Sequence, residues 1–201
     1  MPFLNGLGFG LVLILSLGPV FFLLIQTSIE KGFKKAAFTA LGVSLADLIF
    51  VVLIMKGMAS VLEQPAIKFW AGIIGVTLLI VFGLYSFFKK PQLGKASIKA
   101  VPDSYSKSLA TGLLFNLFNP SSIFFWLSLV SIVQINFGYS GNQKMQFFSG
   151  VLLAIISTDL TKSYLADKLK RFSTVRAVSF LNKVVGVILV GFGVVLLTQL
   201  F

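Results

Sequence analysis

The feature that most constrains this chain is a proline in the middle of a long apolar run. Pro120 follows Asn119 near the centre of the run at residues 108–133. A proline inside a helix removes one backbone hydrogen bond, and its ring clashes with the carbonyl four residues earlier. The residue before proline is also pushed away from helical geometry. Asparagine is a favourable N-cap and proline a favourable first helical residue. The pair therefore predicts two half-helices that meet at Asn119.

A second break of the same kind lies in the middle of the first apolar run, residues 4–29, where Gly18 precedes Pro19. Either proline alone could be an ordinary kink, which membrane helices tolerate. Two breaks at corresponding positions of two halves are instead typical of a transporter site, where the positive N-terminal ends of half-helices point at an anionic group. The freed backbone groups must then face protein or a wet cavity.

Composition places the chain in a membrane. Of its 201 residues 57% are hydrophobic, above the roughly 45–50% usual in soluble domains, and the mean hydropathy is +0.97. A spanning helix needs about 20 apolar residues, so the chain has room for about six. We expect an all-α integral membrane protein with a single transmembrane domain.

The order of these runs predicts an internal repeat. Spans are predicted at residues 4–29, 36–55, 68–88, 108–133, 145–166 and 184–201. Spans one and four contain the breaks, spans two and five each contain an aspartate, and spans three and six carry glycine-spaced runs. Because each repeat has three spans, the second must be inverted, a common plan of secondary transporters. The repeats would cover about residues 1–88 and 108–201, joined by a polar loop at 89–107.

Basic residues predict the orientation. The formal charge is +11 and the isoelectric point about 10.0, yet nucleic acid is not the expected partner, because the basic residues lie between apolar runs. Loops after spans one, three and five hold 13 of the 17 basic residues, against three on the other side. The protein is expected in the inner membrane of the cell. The positive-inside rule then predicts that both termini lie outside and that loop 89–107 lies in the cytoplasm. The first run is too long for a signal-peptide core and is predicted to be a real span.

The chain contains neither cysteine nor histidine. This excludes disulfides, thiolate metal sites and thiol catalysis, and it removes the commonest general base. We expect no cofactor and no resident metal, and an intramembrane enzyme would have to work with aspartates alone.

Two acidic residues fall within predicted spans: Asp47 in span two and Asp159 in span five. A carboxylate at bilayer depth costs about 2.5–3.5 kcal/mol on insertion scales, so it normally faces a cavity or a partner. Each aspartate is a candidate proton carrier or ligand for a substrate ammonium. For Asp159 the alternative is a structural ion pair, because Lys162 lies three residues on, on the same helix face. Lys162 is also close enough to the inner end of the span to extend toward the interface.

Other polar residues lie in the two broken spans. They could line a path through the protein or bridge helices as packing contacts; they are Ser16, Gln26, Asn116, Asn119, Ser121 and Ser122. The aromatic residues after each break, Phe21 and Phe22 and then residues 124–126, could form a gate or belong to the core. Glycine-spaced stretches at residues 72–76 and 186–193 predict helix-packing faces.

Taken in order, these motifs resemble the lysine exporter (LysE-type) family of amino-acid exporters. The resemblance rests on Gly18-Pro19, the Glu-Lys-Gly-Phe sequence at residues 30–33, Gly42 with Asp47, and Asn119-Pro120, and it covers nearly the whole chain. Family members usually read Pro-Gly-Pro in span one, where this chain has Leu17. The resemblance implies export of amino acids or similar solutes, driven by the proton gradient. It carries over functional positions at Gly18, Pro19, Asp47, Asn119 and Pro120.

The combined interpretation is a secondary exporter of a small zwitterionic solute. The half-helix ends at Pro19 and Pro120 would hold the carboxylate, with Asn116 and Ser121 nearby, and Asp47, with Asp159 as a second candidate, would take the ammonium or the proton. The expected partners are the lipid bilayer, the solute, protons and, as an open possibility, further copies of the chain. Alternatives are a transporter of a hard inorganic cation held by the aspartates, a non-transporting membrane scaffold, and the intramembrane enzyme.

Overall fold

The computed structural model describes residues 1–12, 18–57, 64–89, 104–170 and 174–200. Within these ranges every regular element is helical, as expected. The α-helices are α1 (Pro2–Val12), α2 (Pro19–Lys31), α3 (Phe33–Met55), α4 (Pro65–Phe88), α5 (Tyr105–Leu117), α6 (Pro120–Ile132), α7 (Gly141–Lys170) and α8 (Val175–Leu200). A π-helical turn, Val133–Phe137, follows α6 directly.

Both predicted helix starts occur at the prolines. Helix α6 begins at Pro120, and Asn119 is its N-cap in extended geometry. Helix α2 begins at Pro19, and Gly18 is its extended N-cap. The residues before Gly18, at positions 13–17, lie outside the described part of the chain and include Ser16 and Leu17. Because proline has no N–H and a fixed φ, it fits the first helical position better than any interior one.

Length and hydropathy identify membrane-spanning helices. Helix α3 and residues Val175–Thr198 of α8 are each long and apolar enough to cross a bilayer. Residues Tyr105–Leu117 and Ser121–Phe137 pass the same test together, bent by 67° at the break. The described helices thus form an all-helical membrane protein in which one crossing is broken or re-entrant.

Two predicted loops are shorter than expected. The basic loop before span six was placed up to residue 183, but α7 extends to Lys170, and α8 begins at Val175 and already contains Arg176 and Lys183. The turn-rich loop predicted at residues 136–144 shrinks to residues 138–140, between the π-helical turn and α7. Lysine and arginine are good helix formers, so a charged residue marks the edge of the apolar run and not the end of the helix.

Glycines lie at the crossing of α3 with α5. A Cβ added to Gly42 would overlap the carbonyl of Leu109, and one added to Gly112 would overlap the carbonyl of Thr39. The two backbones are therefore in direct contact. Small residues at a membrane helix interface permit this approach, which maximises van der Waals packing.

The crossing of α1 with α7 is built in the same way. A Cβ on Gly6 would overlap the Phe147 carbonyl, and one on Gly150 would overlap the Phe3 carbonyl. Helices α4 and α8 also cross at glycines, since a Cβ on Gly186 would lie 2.7 Å from the carbonyl oxygen of the α4 glycine at position 83. The packing face predicted at residues 186–193 is confirmed by this contact.

The basic ends of the helices lie together. At the end of α4, Lys89 forms an ion pair with Glu30 of α2. The ring of Phe33, at the start of α3, lies 5.8 Å from that of Tyr164 near the end of α7. The segments after predicted spans one, three and five therefore share one end of the molecule, as their charges suggested.

Candidate functional site

One cavity of about 120 Å³ lies where the two helix breaks meet. Most of the residues singled out from the sequence line it, namely Gly18, Asp47, Asn116, Asn119, Ser121 and Asp159. Pro19 is buried directly beside Gly18, and Pro120 follows Asn119 at the start of α6. The tertiary structure thus brings both breaks and both intramembrane aspartates to a single place.

Asp47 is held by two donors from different helices. Its side chain, on α3, is 4% exposed. Asn116 of α5 donates from Nδ2 to Oδ1 over 2.9 Å, and Trp126 of α6 donates from Nε1 to the same oxygen over 2.8 Å. These are the hydrogen bonds that Asp47 receives from the described side chains. Both bonds go to one carboxylate oxygen, and Asp47 lines the cavity.

A chain of hydrogen bonds connects Asp47 to the break before α6. Ser122 donates from Oγ to Asn116 Oδ1 over 2.5 Å, and Asn119 donates from Nδ2 to Ser122 Oγ over 3.0 Å. Asn119 Oδ1 in turn accepts from the backbone N–H of Ser121 over 3.2 Å, which is its capping bond. Asn119, the N-cap of α6, is thus linked to the buried carboxylate of Asp47 through the side chains of Ser122 and Asn116. Because hydrogen bonds in such a network are cooperative, we expect a change at one end to alter the bonds at the other.

Asp159 and Lys162 form an ion pair on α7. Lys162 Nζ lies 3.3 Å from Asp159 Oδ1, and the two side chains are 15% and 8% exposed. Lys162 Nζ also lies 5.9 Å from the ring centre of Phe21, just after the first break. The ion pair that the sequence suggested as the alternative to a functional role for Asp159 is therefore present. It lines the cavity, however, so the Lys162 ammonium faces this site and does not extend to the end of the helix as suggested from the sequence.

The two half-helix starts differ in how they are capped. The first turn of α6 is capped by the Asn119 side chain. Gly18 has no side chain that could cap α2, and both Gly18 and Val20 line the cavity. The first N–H groups of a helix have no partner within the helix and carry partial positive charge. The described residues thus provide a side-chain cap at the start of α6, whereas the N-cap residue of α2 provides none.

Sequence reasoning did not identify Trp126 as a partner of Asp47. The indole is 1% exposed and packs with Phe50, Phe147 and Phe148 in the core. The signal that could have found it is its buried N–H, because a buried tryptophan usually finds an acceptor. The Trp126 ring thus belongs to the core, and its Nε1 contacts the site through the hydrogen bond to Asp47.

Gln26 makes packing contacts between helices and does not line the central cavity. It is 5% exposed and donates from Nε2 to Ser86 Oγ over 2.8 Å and to Asn182 Oδ1 over 3.3 Å. These contacts tie α2 to α4 and α8. Gln26 therefore bridges helices away from the aspartates.

A second cavity, of about 200 Å³, lies at the basic end of the bundle. It is lined by Gln26, Thr39, Tyr85, Lys107 and the ion-paired residues Glu30 and Lys89. Its walls come from the ends of α2 and α4 and the starts of α3 and α5. Three of these four helices, α2, α3 and α5, also line the central cavity.

The described part of the chain contains no cluster of side chains typical of a metal site. No group of three or more acidic, histidine or cysteine side chains occurs there. The central cavity contains Asp47, Asp159 and Lys162. With both aspartates ionised it carries one net negative charge, which suits a solute with an ammonium group.

Comparisons with known proteins agree on one family. The LysE type translocator family matches residues 11–200. A Bacillus subtilis (strain 168) protein named "Putative amino acid efflux protein YcgF" is 28% identical over 194 residues, covering 95% of this chain and 92% of the relative. The threonine efflux protein of Salmonella typhi is 25% identical over 191 residues, covering 92% and 91%. No solved structure matches the chain significantly.

Proposed function

The chain belongs to the LysE-type translocator family, and from this premise we propose that it is a secondary exporter of small zwitterionic amino acids. It is accordingly a membrane transporter and not an enzyme. The relatives named for amino acid efflux and for threonine efflux support the substrate class.

The observation that carries this proposal is the position of Asp47 in a cavity at both helix breaks. One carboxylate oxygen is held by Asn116 and Trp126, so the carboxylate is oriented before a ligand arrives. In the proposal the other oxygen binds the substrate ammonium, with Asp159 as a second acidic group. Such preorganisation lowers the entropic cost of binding.

The substrate carboxylate is proposed to bind at the half-helix ends. Both Pro19 and Pro120 start helices whose first residues line the cavity. The α2 end is the stronger candidate, because its N-cap Gly18 has no capping side chain whereas Asn119 already satisfies one N–H of α6. Together with Asp47 this places an acidic and a positive region in one small cavity, which matches a zwitterion.

An inverted repeat is proposed as the basis of transport, with units at residues 1–88 and 108–201. The pattern of crossings supports it: α3 contacts α5 through Gly42 and Gly112, and α7 contacts α1 through Gly150 and Gly6. In the predicted repeat these are equivalent pairs, each joining an aspartate-bearing helix to the first half of a broken span. Rocking of one unit against the other about the cavity would give alternating access.

Proton coupling and orientation complete the proposal. Asp47 would exchange the substrate ammonium for a proton, so that the inward proton gradient drives export. The basic end of the bundle would face the cytoplasm, both termini would lie outside the inner membrane, and the second cavity would form the cytoplasmic mouth.

Purified protein in proteoliposomes tests this function directly. A panel of amino acids would be assayed with and without an imposed pH gradient. Asp167→Asn serves as the matched control for Asp47→Asn, because Asp167 lies on α7 and does not line the central cavity. Gradient-dependent transport of a small amino acid is expected. Saturable stabilisation by Mg²⁺, Ca²⁺ or Mn²⁺ alone would favour a transporter of hard cations. Folded protein that moves none of these solutes would favour a scaffold.

A further inference from the structure

Lys162 is the basic side chain among the described residues that line the central cavity. It lies on α7, one turn after Asp159, and its side chain is 15% exposed. Its ammonium is 3.3 Å from Asp159 Oδ1 and 5.9 Å from the ring centre of Phe21. Phe21 is in the first turn of α2, the half-helix whose N-cap residue, Gly18, has no side chain to cap it.

Two positive elements thus line the same cavity. The start of α2 contributes partial charge, and Lys162 contributes a full charge that can move on a long stem. Asp47, held by Asn116 and Trp126 from α5 and α6, supplies the acidic group in the same cavity. The cavity therefore has separate groups for an anion and for a cation.

In the Asp159–Lys162 pair, the carboxylate of a ligand could replace the carboxylate of Asp159. A lysine at bilayer depth without a partner would be costly, so the empty cavity needs Asp159 as its counterion. A carboxylate that enters the cavity offers Lys162 the same chemical group. Exchange of one carboxylate for another keeps the lysine paired throughout.

We propose that Lys162 is the specificity-determining residue that recognises the substrate carboxylate, and that Asp159 occupies its place while the cavity is empty. This inference rests on the proposed function, because it assigns one end of a zwitterion. It predicts that the protein distinguishes an amino acid from the amine that lacks its carboxylate. The amine would still meet Asp47 but would leave the Asp159–Lys162 pair closed.

The test compares two matched ligand pairs on purified, intact protein. L-alanine is paired with ethylamine, and L-threonine with 1-amino-2-propanol, its decarboxylated counterpart. Binding constants are measured by calorimetry for the wild type and for Lys162→Gln, Lys162→Arg and the double variant Asp159→Asn/Lys162→Gln. Lys168→Gln serves as the control, because Lys168 is exposed on the same helix and contacts the Tyr164 ring.

The wild type should prefer the amino acid by about tenfold or more, the usual range for a hydrogen bond to a charged group. Lys162→Gln should bring the two affinities close together mainly by weakening the amino acid, Lys162→Arg should keep most of the preference, and Lys168→Gln should not change it. A purely structural lysine would instead weaken both ligands of a pair equally.

The double variant keeps the test decisive if Lys162→Gln alone does not fold. It removes both charges of the pair, so Asp159 is not left as a buried carboxylate that has lost its counterion. If it folds and has lost the preference, the inference holds. If it folds and prefers the amino acid as strongly as the wild type, Lys162 is only the counterion of Asp159 and the inference is wrong. Wild-type protein that binds neither amino acid would overturn the proposed function and this inference together.

Discussion

Trp126 and Asp47, which are 79 positions apart in the chain, are joined by a 2.8 Å hydrogen bond from Nε1 to Oδ1. The two residues are 1% and 4% exposed. The bond connects α3 to the half-helix that follows the second break. The position of the buried carboxylate therefore depends on the packing of α6, which begins at Pro120.

Asp47→Asn tests the acidic group. Asparagine is nearly isosteric, and its oxygen can still accept from Asn116 and Trp126, so we expect normal membrane insertion. It cannot carry a proton or a full charge, and export should be lost or uncoupled from the pH gradient. Transport in proteoliposomes would measure this, beside the Asp167→Asn control. Unchanged transport and pH dependence would remove Asp47 from the mechanism.

Trp126→Phe removes the hydrogen bond to Asp47 and, because phenylalanine is smaller, part of the core packing. Phenylalanine keeps an aromatic ring against Phe148 but removes the indole N–H. Loss of a buried hydrogen bond to a charged group should lower the free energy of unfolding by about 1.5–3 kcal/mol. Thermal stability in detergent, read by size-exclusion chromatography, would show a lower midpoint. Trp70→Phe is the control, since Trp70 is 64% exposed, and equal midpoints for the two variants would contradict the prediction.

Gly112→Ala tests the crossing of α3 and α5. The new Cβ would overlap the carbonyl of Thr39, so the helices must separate. Overpacking of this kind costs about 1–3 kcal/mol or more, and the yield of monodisperse protein should fall. Gly191→Ala adds the same methyl group on α8, where no atom lies within 4 Å, and should be tolerated. Similar yields for both variants would show that the close approach is not required.

Pro120→Ala tests whether the second break forms the binding site or only the architecture. Alanine lets the helix continue, so the N–H groups at the start of α6 would bond within it. Because alanine is also the best helix former, the variant should insert and fold but bind substrate poorly. Asn119→Ala should act in the same direction and lose about 1 kcal/mol of capping. A Pro120→Ala protein with parental transport rate and affinity would place the site elsewhere.

Orientation can be tested with a single cysteine, because the natural chain has none. Ser97 falls in the segment predicted as a loop, residues 89–107, and outside the described part of the chain. In the proposed orientation Ser97→Cys should be protected from an impermeant thiol reagent in intact cells and labelled in inverted vesicles. Labelling from outside intact cells would reverse the proposed topology.

Local chemistry explains why the helix breaks could be predicted. Proline restricts its own φ and the residue before it whatever surrounds them, so Pro19 and Pro120 start helices in the structure as expected. The helix ends after span five were predicted less well, because Lys168 and Arg176 mark where apolar sequence stops and do not prevent a helix from continuing.

The partners of the charged groups could not be derived in this way. Asp47 was predicted to face a cavity or a partner, but several polar residues in the broken spans were equal candidates. Asn116 was among them and Trp126 was not. For Lys162 the sequence suggested either an ion pair with Asp159 or extension toward the interface, and no place in the site. These outcomes depend on the rotation of each helix about its axis.

By itself, the sequence determined an all-helical membrane protein with two breaks and two intramembrane acids, because hydropathy and proline sterics act within a few residues. Only the tertiary structure decided that both breaks and both acids share one cavity. For Asp47 and the second break, the reason is the direct backbone contact at Gly42 and Gly112, which sets the height and rotation of α3 against α5. That contact brings Asn116 within 2.9 Å of Asp47, and a shift of one helical turn would separate them.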